Sequence, residues 1–148
     1  RKNMGKKLVD LQKQAASTVD SLLHITEDIG KYVIAPYGTE DGAFVEIQCQ
    51  IFLKRCQSLE KQLLQLQEAL TFSENPAPPI FHNEASSLDV TRQIIIQNLQ
   101  IVHEKQLLLQ GFLSHSREHD AVTQESRLLQ EQTRLLEFQR ILGATKKP

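Results

Sequence analysis

Residues 111–142 read GFLSHSREHDAVTQESRLLQEQTRLLEFQRIL, and the fold turns on whether the polar part of this stretch, residues 114–120, is a bend or part of a helix. After it, Leu128-Leu129, Leu135-Leu136 and Leu142 recur every seven residues, with Phe138 and Ile141 alongside. A sequence that holds period seven presents one apolar seam to a supercoiled partner. The patch contains neither Pro nor Gly, and Gly111 is the one glycine between residue 86 and Gly143. The spacing therefore predicts one long helix over residues 86–143, roughly 80 Å. Its distal part, coiled-coil-like from residue 121, would project beyond the rest of the chain. The alternative is a break near residues 114–120, giving a closed four-helix bundle.

Proline disrupts helix interiors, and the prolines at 36, 76, 78, 79 and 148 leave three long proline-free stretches. The middle one carries Val45, Cys49, Phe52, Cys56, Leu59, Leu63, Leu66 and Leu70 in strict steps of four and three, which predicts a helix over residues 43–72. Phe44, Ile47 and Ile51 add a second stripe over its first turns, so its N-terminal half is expected to be the more deeply buried. The first stretch repeats the pattern with Leu8, Leu11, Ala15, Thr18, Leu22, Ile25, Ile29 and Tyr32, widened by Val19, Leu23 and Val33. That helix, residues 4–34, ends where Pro36 disfavours the helical region for Ala35. The loop YGTEDG at residues 37–42 is short enough to make residues 4–72 an antiparallel helical hairpin.

Residues 73–85 form a Pro-rich linker whose length in an extended conformation leaves the direction of the third helix open. Ile80 and Phe81 within it are expected to seal the end of the hairpin. Ser86 or Ser87 is the expected N-cap of the next helix, with Glu84 and Asp89 favourable near its positive end. The first half of that helix has Leu88, Ile94, Ile95, Leu99, Ile101, Val102, Leu108, Leu109, Phe112 and Leu113 over a wide arc and belongs in a core.

Composition sets the class of function. The chain has 148 residues with 17 Lys and Arg against 18 Asp and Glu, so whole-chain attraction to nucleic acid or anionic lipid is excluded. No apolar run approaches the roughly 18 residues needed to span a bilayer. Seventeen glutamines keep helix propensity without adding charge, a surface that can be set against another protein at low desolvation cost. Cys49 and Cys56 lie about 10 Å apart along one helix, too far for a mutual disulfide, and read as buried thiols in a reducing compartment, cytoplasmic or nuclear.

Three motifs invite chemistry. His115-Ser116-Arg117-Glu118-His119 fits the H-x-x-E-H pattern, which on a helix sets two imidazoles one turn apart for zinc with Glu118 as base. A catalytic site also needs a third ligand and a walled cleft; Glu125 and Glu137 are on offer but nothing in the sequence places them, so a zinc site is a remote alternative. His24 with Cys49 or Cys56 supplies the residue types of a nucleophile and base, yet both cysteines sit on the seam as packing atoms. Arg1, Lys2, Lys6, Lys7 and Lys13 beside Leu8 and Leu11 make a basic helix start of the kind that lies on an anionic membrane surface. The same seam continues to Tyr32, and a helix committed to a core cannot also lie in lipid.

The expectation is thus an all-α chain: an antiparallel helical hairpin plus a long third helix with C-terminal coiled-coil heptads. It is a non-enzymatic scaffold subunit that binds partner helices, of its own or another kind. The expected partner interface is Leu128, Leu129, Leu135, Leu136, Phe138, Ile141 and Leu142. No catalytic residue, cofactor, metal, small-molecule substrate or direct nucleic-acid contact is expected. A peripheral membrane-surface module is the alternative.

Overall fold

A computed structural model describes residues 2–39, 42–72, 82–114 and 121–145, all of them in helices or in the turn at residues 35–39. The described residues are all-α and form four long helices. Helix α1 (Lys2–Ile29) buries Leu11, Ala15, Thr18, Leu22, Ile25 and Ile29 along the three-four seam, together with Val19 and Leu23. It runs straight into one π-helical turn, Gly30–Ile34, closed by the Ala35 N–H donating to the Gly30 carbonyl at 3.0 Å. The wider turn changes which residues face inward. Val33 and Ile34 are buried, while Tyr32, expected on the seam, is 39% exposed. Pro36 then ends the helix, and its carbonyl accepts the Thr39 N–H at 2.9 Å and the Thr39 hydroxyl at 3.0 Å. Gly38 sits at φ 84 degrees, a left-handed conformation that glycine adopts without steric cost.

Helix α2 (Gly42–Phe72) has 31 residues. Its length is about 46 Å. All eight of its seam residues, Val45 through Leu70, are buried. Arg55 reaches Asp28 of α1 at 3.3 Å, and further along α2 Gln62, Gln65 and Leu66 lie beside Gln14, Ser17 and Thr18, so the two helices run antiparallel. The second stripe does not deepen the N-terminal half. Phe44, Ile47 and Ile51 are 39%, 55% and 45% exposed, because α1 and the next helix occupy the seam side and leave this flank to solvent.

Helix α3 (His82–Ser114) starts four residues ahead of the expected cap at Ser86. Gln106 bonds Glu60 at 3.3 Å, and the ring of Phe112 meets that of Tyr37 edge to face at 4.8 Å, so α3 runs antiparallel to α2. Helix α4 (Ala121–Thr145) lies antiparallel to α1: Gln139 bonds Asp20 at 3.4 Å, and Leu128 stands beside Gly30. A Cβ on Gly30 would come within 3.1 Å of the Leu128 side chain. Glycine at this crossing lets α4 approach closely.

The helices therefore alternate up and down, with α1 between α2 and α4, and α2 between α1 and α3. The single helix over residues 86–143 is not what forms, since α3 and α4 run in opposite directions. The reason is energetic. Leu128, Leu135, Phe138 and Leu142 lie in the core that α1 helps to build, and each gains on the order of 1.5–3 kcal/mol by burial there. Helical continuation through seven polar residues offers no comparable term.

Candidate functional site

The seven α4 residues expected at an interface divide between two faces. Leu128, Leu135, Phe138 and Leu142 repeat in steps of seven, three and four and are buried within the bundle core, so they are not a partner surface. Leu129 and Leu136 each follow a core residue by one position, hence by about 100° around the helix. They point outward and are 64% and 54% exposed. Ile141 is half-buried against the core. The correction has a physical basis: a two-leucine repeat offers one leucine to each of two faces, and α1 takes the first.

A second feature lies inside. On α3, Thr91, Asn98 and Lys105 follow one another at seven-residue intervals and are 0%, 0% and 1% exposed, in line with Phe112. The Thr91 hydroxyl donates to its own helix, to the Ser87 carbonyl at 2.7 Å. Lys105 donates to the Glu131 carboxylate of α4, a polar tie between these two helices. Both side-chain polar atoms of Asn98, Oε2 of Glu131 and Nε2 of Gln12 are buried without a protein partner. Burial pulls the Lys105 ammonium down to about 8, against the attraction of Glu104. Sequence reading missed this row, because a lysine and an asparagine among apolar residues are read as solvent-facing. The available signal was their spacing between Ile94-Ile95, Ile101-Val102 and Leu108-Leu109.

Cys49 and Cys56 are free, buried thiols, and burial raises both to about 11, away from the thiolate that a nucleophile needs. His24 is on an exposed face of α1, its Nδ1 2.8 Å from the Asp20 carbonyl. That hydrogen bond, with the Asp20 carboxylate behind it, raises the imidazole. The histidine and the thiols are therefore not brought together. Among the described residues no group of three or more His, Cys, Asp or Glu is placed to hold a metal ion. The H-x-x-E-H motif at residues 115–119 lies outside the described residues, as do Ile80 and Phe81.

The basic start of the chain falls in the first turns of α1, where Leu8 is half-buried and Leu11 buried in the core. Among the described residues no helix is long and apolar enough to cross a membrane. Among the described residues, one surface cavity of about 250 Å³ lies between α1 and α2, lined by Gln14, Ser17, Thr18, Gln62, Gln65 and Leu66. Another, about 290 Å³, sits at the hairpin-turn end between α2 and α3. Compared with family models, curated proteins and solved structures, the chain matches none.

Proposed function

We propose that the chain is a non-enzymatic helical interaction subunit whose α4 outer face binds a helix of a partner or of a second copy. The observation that carries this reading is the exposure of Leu129 and Leu136, 64% and 54%, seven residues apart on one face of a helix whose other face is committed to the core. Two leucines at heptad spacing fit the knobs-into-holes contacts of a helical partner. Gln132 lies between them on the helix and can add a polar contact without the desolvation cost of charge. Leu129 and Leu136 are what remains of the expected coiled-coil seam. With both cysteines as free, buried thiols, a reducing compartment, cytoplasm or nucleus, suits the chain.

The test changes Leu129 and Leu136 together to Gln. Exposed substitutions of this kind shift stability by about 0.5 kcal/mol or less each, so the melting curve should stay in place. Light scattering of the purified chain and co-purification from its native source should both show association lost in the double variant. Association unaltered by these changes, or a wild-type chain that is monomeric and purifies alone, would overturn the reading.

A further inference from the structure

Leu129 and Leu136 share their face of α4 with three polar residues. At about 100° per residue, Glu125, Leu129, Gln132, Leu136 and Arg140 fall within about 80° of one another around the helix. Gln132 is half-buried and the other four are exposed. The face reads acid, Leu, Gln, Leu, base. That order is self-complementary. Turned end for end about a point between Gln132 and Thr133, the helix sets residue 129 opposite residue 136 and residue 125 opposite residue 140. The turn that lays leucine on leucine therefore also pairs each carboxylate with a guanidinium.

The surrounding charges keep this match. Arg127 and Arg134 lie on the far side of α4, roughly 160–180° round from the centre of the face, and Glu131 is buried against Lys105. Glu137 pairs with Arg140 within the helix, both exposed, and the five-donor fork of an arginine can take a second carboxylate. Among the described residues Glu125 takes part in no ion pair. Along the same length α1 carries Asp20, held by Gln139 and His24, Asp28, held by Arg55 of α2, and Glu27. These add negative charge beside the face, which limits the strength of a contact there and not its direction. Outside α4 the sequence keeps the same polarity. With histidine neutral, Glu118 and Asp120 outweigh Arg117 before the helix, and Lys146 and Lys147 follow it.

We propose that the occupant of this face is a second copy of the chain, with the two α4 helices antiparallel across a two-fold axis between Gln132 and Thr133. The inference rests on the reading of α4 as an interaction face. Leu129 of each copy meets Leu136 of the other, and Glu125 meets Arg140. A two-fold contact uses the same patch on both subunits, so each of these pairs forms twice. Antiparallel packing also sets opposite ends of the two helix dipoles side by side. A parallel pairing would instead set Glu125 on Glu125 and Arg140 on Arg140. Two leucines per copy make a small apolar contact, so the dimer forms in concentrated protein and separates on dilution.

The experiment follows the full chain by sedimentation equilibrium from about 10 µM to about 1 mM, a range that brackets weak self-association. The wild type should pass from monomer to dimer as concentration rises. Arg140→Glu turns both cross-copy attractions into repulsions and should weaken the dimer about tenfold. Adding Glu125→Arg restores opposite charges at both sites and should bring the dissociation constant back to within about threefold of wild type. Loss of the Glu137–Arg140 pair is common to both variants, so it cannot account for that recovery. Both positions are exposed, and the melting curves should coincide with that of the wild type. A chain that stays monomeric up to the highest concentration, or a dimer that Arg140→Glu leaves unweakened or Glu125→Arg fails to restore, would overturn the self-pairing. The broader reading would still stand if Leu129→Gln with Leu136→Gln released a different partner. A dimer indifferent to those two leucine changes would overturn both.

Discussion

A lysine that is 1% exposed in the middle of a helical bundle persists only as part of a pair. Lys105→Met should cost about 3–5 kcal/mol, because it leaves the Glu131 carboxylate buried and alone. Lys105→Met with Glu131→Leu should recover that loss and come out neutral to about 4 kcal/mol more stable than wild type, as read by urea denaturation. Cys49 and Cys56 shape the alkaline limb: between pH 9 and about 11 the folded thiols keep protons that the unfolded chain has released, and stability falls. The urea midpoint should therefore fall from pH 9 upward.

At the scale of the element, α4 offers two adjacent leucines with opposite fates. Leu135 is 0% exposed and Leu136 is 54% exposed. Leu135→Ala should cost about 2–5 kcal/mol through lost burial and the cavity left behind. Leu136→Ala should stay within about 0.5 kcal/mol. Equal effects of the two changes on the urea midpoint would mean that α4 does not present this face to α1. The π-helical turn at Gly30–Ile34 works at the same scale. Within the wide turn it is Val33 and Ile34 that are buried, just before Pro36 ends the helix.

For the whole molecule, α1 is the shared wall. One side of it packs on α2 and another on α4, so neither neighbour can leave without exposing part of the same core. Leu128, Leu135 and Leu142 changed together to Gln should therefore lower the stability of all four helices at once. Helicity by circular dichroism and the emission of Tyr32 and Tyr37 should fall in one coincident urea transition. A hairpin that stays helical while α4 is lost would divide the molecule into two independent units and contradict this account.

Within single helices, the order of apolar residues was enough to find the core. The α2 seam from Val45 to Leu70 is buried at every position, and the α1 seam holds from Leu11 to Ile29, because a period of three and four residues places side chains on one face whatever the partner. Which helix covers which face is not a local property. Residues 114–120 lack any helix breaker, yet α3 and α4 run in opposite directions, because Leu128 and Leu135 bury in a core shared with α1, from the other end of the chain. The same holds for Lys105, whose burial depends on a carboxylate of the following helix, and for Leu129 and Leu136, left outside once α1 had filled the other face. Periodicity reports a side chain's direction relative to its own helix axis; what meets it there is decided by contacts between segments far apart in the chain.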